Sequence, residues 1–387
     1  MPDFFDLSRH FSAEERAIRT RVRAFVDARV TPTIAEHWER GSFPTEIIPE
    51  LAAMGLLGCN LHGYGCAGLS EIGTGLAMAE LERGDSGVRS FASVQGSLVM
   101  YPIHAFGSDE QKQRYLPEMA AGKIIGCFGL TEPDFGSNPG GMRTVARDDG
   151  DAYVLDGTKR WITNGNLSHV ALVWAKLGGA DGEIRGFLVP TDRAGFEARV
   201  IDKKVSLRAS VTSELVLEGV RLPKDAILPN VRGMKGPLSC LTAARFGIAW
   251  GVIGAASACF DCAVDYAKTR VQFAGKPIAS HQLVQAKLAE MLTDLTNMQL
   301  QALEAARLKE GKALRPAHVS MIKRHNARAA LGIARTCRDM LGANGITLDY
   351  PVMRHMCNLE TVSTYEGTHD IHTLVLGQDV TGIAAYE

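Results

Sequence analysis

The sequence predicts a mainly α protein with a central β domain, an α+β arrangement whose order along the chain is helices, then strands, then helices. Three observations carry this. Apolar residues recur at three- and four-residue spacing from Ser12 to about Gly122, and the same period returns from Gly236 to the end. Between about Ile124 and Asn230 the pattern breaks into short β-branched and aromatic runs separated by turn dipeptides. The 387 residues leave room for two or three domains at about 100–200 residues each, and the pattern changes place them at 1–123, 124–232 and 233–387. No fixed-period repeat or low-complexity tract interrupts this order.

In the first domain, helices are expected over 13–30, 45–57, 72–82 and 109–121, with Ser12, Pro44-Thr45 and Ser108-Asp109 as start signals. In the middle, strands are expected over 153–155, 160–163, 171–175, 187–189 and 215–217, separated by turns at Asp156-Gly157, Asn164-Gly165, Gly178-Gly179 and Glu218-Gly219. The last domain has long helical patterns over 238–270, 282–308 and 317–340, lengths that suit an antiparallel bundle. Within the first of these, the apolar run 246–260 contains Gly247-x-x-x-Gly251. It falls short of the roughly 20 apolar residues of a membrane span and is flanked by Arg245 and Asp261, so it reads as a buried bundle helix.

The charge balance is 42 Lys+Arg against 43 Asp+Glu, and 46% of the residues are hydrophobic. This excludes a disordered chain and gives no basic stripe for nucleic acid. No nucleic-acid or membrane partner is expected, and MPDFFDLSRHF lacks targeting features, so the expected location is cytoplasmic. Eight cysteines at irregular spacing read as reduced packing thiols, Cys259 and Cys262 included, and no metal-ligand set is seen. Gly63-Tyr-Gly65-Cys-Ala-Gly68 matches G-x-G-x-x-G, with Glu82 and Asp85 near the offset of a ribose-binding acid. Helical segments lie on both sides of it, so it reads as a loop.

Without metalloprotease, serine-hydrolase or P-loop motifs, oxidoreduction with a bound organic cofactor remains. Three stretches concentrate unusual residues. Small residues and hydroxyls from Phe128 to Asn138 would let backbone N–H groups approach a phosphate or a polar ring edge, although on composition alone an ordinary interdomain loop is the better reading. Trp161, beside Thr163, could cover an aromatic ring, although a half-buried strand residue is the commoner reason for such a Trp. Glu366, between Tyr365 and Gly367, would be partly desolvated and so nearer the pKa of a general base. The plainer reading is an acid at a helix start.

FGLTEPDFGS from Phe128 to Ser137, Trp161-Ile162-Thr163, Gln272-Phe273 followed by Gly-Lys-Pro-Ile, RDMLGANGI and Tyr365-Glu-Gly-Thr368 occur in this order over nearly the whole chain. Together they resemble the acyl-CoA dehydrogenase family of flavoproteins. Asp85-Ser-Gly-Val-Arg89-Ser90, Ser206-Leu-Arg-Ala-Ser210 and Tyr365-Glu-Gly-Thr-His-Asp-Ile-His372 are similar to its glutaryl-CoA dehydrogenase branch.

The resemblance implies a helical domain, a middle β-barrel or sandwich and a C-terminal four-helix bundle, assembled as a homotetramer with FAD between protomers. On that basis Phe128, Leu130, Thr131, Gly136, Ser137, Trp161, Ile162, Thr163 and Thr368 would contact the flavin side. Arg270, Gln282, Asp339, Met340, Leu341, Gly342 and Ala343 would reach the adenylate half, from a neighbouring subunit, and Tyr386 would also lie at the cofactor. Glu366 would be the base that removes an α-proton from the thioester as hydride leaves the β-carbon. Arg89 would hold a distal carboxylate, with Ser90, Ser93, Glu82 and Tyr365 in the same pocket. Ser137, Leu238, Ser239 and Arg245 would serve coenzyme A, with Gly367 near the thioester, and an electron-transfer flavoprotein would accept the electrons. The implied reaction is oxidative decarboxylation of glutaryl-CoA to crotonyl-CoA and CO2. The alternatives are a non-decarboxylating short-chain or branched acyl-CoA dehydrogenase and a flavin-free helical binding protein. Val88, Gly96, Asn138 and Thr242 depart from the usual residues at their positions, and Ala274 resembles a one-residue insertion.

Overall fold

The computed structural model describes residues 2–273 and 275–385. Ala274 and Tyr386, both singled out in the sequence, lie outside the described residues.

A capping box opens the first long helix: the Ser12 hydroxyl accepts from the Glu15 N–H at 3.1 Å, and the Glu15 carboxylate accepts from the Ser12 N–H at 2.7 Å. That helix is α1 (Ala13–Phe25), extended by a π-helical turn over Val26–Val30. There follow α2 (Ile34–Arg40), α3 (Ile48–Ala53), α4 (Glu71–Gly84), α5 (Ser86–Ser93), α6 (Tyr101–Phe106) and α7 (Asp109–Ala120). The helix expected over 45–57 is shorter than the pattern implied, because a 3-10 turn leads into α3 and Gly55 takes φ +72° just beyond it.

The middle strands are β1 (Gly126–Gly129), β2 (Val145–Asp148), β3 (Ala152–Thr163), β4 (Val170–Leu177), β5 (Glu183–Pro190), β6 (Phe196–Val200) and β7 (Thr212–Pro223). They form one seven-stranded curled sheet in the order β1-β4-β2-β3-β7-β6, with β5 on β4. β1 and β2 pair in parallel with successive stretches of β4, 170–173 and 176–177, and the other pairings are antiparallel. Two expected turns are bulges instead. Asp156-Gly157 and Glu218-Gly219 lie opposite each other inside β3 and β7, where the Asp156 carboxylate accepts the Gly219 N–H at 2.7 Å. Glycine is required at Gly157, because φ is +151° and a Cβ would stand 2.4 Å from Thr144 Oγ1.

The last domain holds α8 (Lys235–Thr269), a short hairpin of β8 (Val271–Gln272) and β9 (Lys276–Pro277), then α9 (Gln282–Glu310), α10 (Pro316–Met340), α11 (Pro351–Thr364) and α12 (His369–Thr381). α8 has 35 residues, longer than its apolar run suggested and long enough to cross a membrane. Burial decides the matter, since 83% of its most apolar window is covered inside the molecule. α4 crosses α8 closely enough that a Cβ on Gly254 would stand 1.7 Å from the Ala79 carbonyl oxygen. Three apolar cores result, one under the first domain and its contacts with the sheet, one inside the bundle and one inside the sheet.

Candidate active site

The α4–α5 corner sets the first group of side chains. Asp85 caps α5 by accepting the Gly87 N–H at 2.6 Å, and its second oxygen accepts from Asn358 at 2.9 Å and pairs with Arg354. With the corner tied to α11, Glu82 on the last turn of α4 lies against Arg89 of α5. Arg89 Nε donates to Glu82 Oε2 at 2.6 Å, Ser86 Oγ donates to Glu82 Oε1 at 2.9 Å, and a terminal guanidinium nitrogen of Arg89 donates to the Tyr365 hydroxyl. Ser90 Oγ is 3.3 Å from that hydroxyl.

Arg89 is only 1% exposed. Burial opposes its charge, but Tyr365 and Glu82 outweigh burial and hold its pKa above the ordinary value. Burial likewise pushes the Tyr365 phenol up to about 12. Ser93 is one turn farther along, its buried hydroxyl without a protein partner, beside a small recess that Gly96, Ser97 and Phe246 also line. At Gly96, one of the departures noted above, a Cβ would approach the Gly58 nitrogen to 3.0 Å, so any larger side chain there requires the Gly58 backbone to give by a few tenths of an ångström. Val88 is fully buried in the first core.

Glu366 stands in the short link between α11 and α12 at φ +52°, followed by Gly367 at φ +98°. Part of the residue is open, yet its carboxylate oxygen Oε2 is buried and has no protein partner. Burial raises its pKa above the usual carboxylate range, while Arg89, Arg245 and Lys323 pull it back. Arg245, expected on the coenzyme A side, directs its Nε to the Glu366 carbonyl oxygen at 2.6 Å. Thr368 caps α12 by accepting the Ile371 N–H at 3.2 Å. On the N-terminal stretch of α8, Leu238 is half exposed and Ser239 donates to the Gly236 carbonyl at 2.7 Å.

A second group gathers on the sheet. Trp161 sits on a β3 bulge at φ +63°, with 54% of its surface exposed and the Arg160 guanidinium 5.3 Å from its ring. The Arg160 N–H donates to the Thr131 carbonyl at 2.8 Å, which joins the loop after β1 to the bulge. Behind them Lys159, fully buried, donates to Glu132 Oε1 at 2.8 Å and to the Leu130 carbonyl at 3.1 Å. Phe128, Leu130 and Ile162 are buried, Thr131 and Thr163 are half-buried, and Gly136 and Ser137 are exposed. No atom lies within 4 Å of a Cβ built on Gly136. An exposed indole, neighbouring hydroxyls and an open glycine loop fit a flavin ring and its polar edge. That observation supports FAD here.

The residues expected at the adenylate half are elsewhere. A helical rise of about 1.5 Å per residue puts Arg270 about 37 Å along α8 from Arg245. There it lies near the start of α9, and Asp339 at the end of α10 is tied to that region by Lys287 Nζ at 2.6 Å. Arg270, Gln282, Asp339, Gly342 and Ala343 are exposed, Met340 is half-buried and Leu341 is core. Within one protomer this cluster and Glu366 lie far apart along α8.

Sequence reasoning missed three supports: the Asp85–Arg354 pair, the Glu132–Lys159 pair and Lys323. One signal was available for the last. Lys323 falls at helical spacing with Val319, Asn326 and Ala330, a buried face on which a charge needs a partner.

Family models describing the N-terminal, middle and C-terminal domains of acyl-CoA dehydrogenases match residues 12–123, 127–220 and 231–381. A crystal structure of glutaryl-CoA dehydrogenase from Mycobacterium smegmatis is 55% identical, with 98% of each chain covered and a TM-score of 0.96. A glutaryl-CoA dehydrogenase structure from the same organism in complex with FADH2 is 52% identical, covers 99% of this chain and 98% of that one, and has a TM-score of 0.97. The human mitochondrial short-chain specific acyl-CoA dehydrogenase is 36% identical over 359 residues, 92% of this chain and 87% of the relative.

Proposed function

From the premise that this chain belongs to the acyl-CoA dehydrogenase family, we propose that it is an FAD-dependent enzyme that oxidises and decarboxylates glutaryl-CoA to crotonyl-CoA. The observation that carries the substrate is the buried Arg89, linked through Tyr365 to the segment that bears Glu366. A buried guanidinium binds a carboxylate through a planar fork, which suits the distal carboxylate of a dicarboxylyl thioester.

Glu366 is set to take the α-proton through its unpartnered Oε2, with a carboxyl raised by burial toward the range a base needs. The Trp161 face and the loop after β1 would hold FAD, which would supply the acceptor for the hydride from the β-carbon. Arg89 keeps the distal carboxylate ionised while the α–β double bond forms. The C–C bond to that carboxylate then breaks, CO2 leaves, and the electron pair moves into the conjugated thioester. Protonated Glu366 returns its proton to the γ-carbon. The balance is glutaryl-CoA to crotonyl-CoA and CO2, with two electrons on the cofactor.

A second reading has its own observation: Glu82 already satisfies Arg89 Nε at 2.6 Å, as in a structural ion pair of a non-decarboxylating dehydrogenase. Arg89→Ala separates the two. The proposal expects kcat/KM for glutaryl-CoA to fall about 10–100-fold more than for butyryl-CoA, the loss expected of a charged hydrogen bond. Equal losses for both substrates favour the ion pair. The proposal includes an electron-transfer flavoprotein as acceptor, a homotetramer and a cytoplasmic location. Phe273 at 82% and Leu283 at 81% exposure support assembly.

A further inference from the structure

Beneath the base lies a charged side chain that the chemistry above does not use. Lys323, two turns into α10, is 1% exposed. Its Nζ donates to the carbonyls of Gly367 at 2.8 Å, Tyr365 at 3.0 Å and Ser363 at 3.4 Å, so the three donors of an ammonium all have acceptors. Arg245 reaches across from α8 to the carbonyl between those of Tyr365 and Gly367, that of Glu366, at 2.6 Å.

Each carbonyl of Tyr365, Glu366 and Gly367 is therefore held by a cation from a long bundle helix. The arrangement has a reason in backbone physics. α11 ends at Thr364, where the last carbonyls of a helix lack partners within it, and the chain then turns through left-handed φ at Glu366 and Gly367. A non-glycine residue keeps that conformation only where its surroundings over-determine it.

We propose that Lys323 is a positioning residue: by gripping the carbonyls on both sides of Glu366, its ammonium fixes the direction of the base and supplies a positive charge beneath it. The inference rests on Glu366 being the base. Glu366 is also faced by Arg89 from α5 and Arg245 from α8, with Tyr365 beside it. The groups around Lys323 are Glu366, Arg245 and Arg89, with His369 and His372 on α12. Burial pushes the Lys323 ammonium down to about 7, against the pull of Glu366. Removing this cation removes one of the charges that lower the Glu366 carboxyl, so the base should then titrate at higher pH.

The test uses FAD-loaded enzyme carrying Lys323→Met, which keeps the length of the side chain and removes donors and charge, alongside Lys323→Arg and Glu366→Gln. Lys323→Met should lower kcat about 100-fold with KM changed far less, the loss expected when a reacting group is misplaced by about 1 Å. The acidic limb of its rate profile should move to higher pH. Hydrogen exchange followed by mass spectrometry should speed up severalfold in peptides covering 363–368 and remain unchanged in α8 and α9. Lys323→Arg should restore most of the rate and the original acidic limb. An unshifted limb, or faster exchange spread evenly through the bundle, would leave Lys323 as ordinary packing and overturn the inference. Full activity in Glu366→Gln would instead sink the reading of Glu366 as base, whatever Lys323→Met does.

Discussion

Glu366 and Lys323 show how differently single residues can be read. Glu366 stands in a short motif that the family resemblance alone marks as the base. Lys323 binds carbonyls some 40 residues farther along the chain, a pairing that no local spacing encodes. The same region makes a pH prediction. His372 is buried on α12, and burial, aided by Lys323 and Arg245, lowers its pKa to about 3 from an ordinary 6.5. Buried His355 shifts in the same direction. Between pH 6.5 and about 3 the unfolded chain binds a proton at His372 that the folded chain refuses, so stability falls as the pH falls, by up to ~1.4 kcal/mol per unit. Urea midpoints from pH 7 to pH 4 should show this decline, and His372→Asn should flatten it. A variant with the parent's slope would show that His372 titrates normally.

At the scale of elements, period and capping made most helices legible, while dipeptide signals misled at two points. Asp156-Gly157 and Glu218-Gly219 have turn composition, yet a glycine at positive φ serves a bulge equally well, and only the pairing of β3 with β7 distinguishes the cases. The close crossing of α4 and α8 was equally invisible, because glycines in an apolar run do not say what they approach. Gly251 tests that contact. A methyl there would stand 2.1 Å from Glu82 Oε2 and 3.0 Å from Arg89 Nε. Gly251→Ala should cost about 1–3 kcal/mol of stability through overpacking and should raise KM for glutaryl-CoA more than for butyryl-CoA. An unchanged ratio of the two KM values would uncouple this crossing from the acyl pocket.

For the whole molecule, the helix–strand–helix order followed from the period of the apolar residues, and the near-neutral charge already argued against a field-driven polyanion binder. The proposed assembly came from resemblance alone, because a surface awaiting a partner looks in sequence like any apolar residue. The exposed Phe273 and Leu283 lie at the end of α8 remote from Glu366, beside Arg270 and Gln282. Phe273→Asp with Leu283→Lys should dissociate the assembly in sedimentation velocity and weaken FAD retention together. Dissociation with FAD retained would mean that one protomer holds its cofactor alone.

The central claim is that Glu366 and Arg89 cooperate on one dicarboxylyl thioester. The direct measurement adds glutaryl-CoA anaerobically to the FAD-loaded protein and follows flavin absorbance and released CO2 together. The account predicts bleaching accompanied by one CO2 for each flavin reduced. Bleaching without CO2, or bleaching by butyryl-CoA but not by glutaryl-CoA, would contradict it.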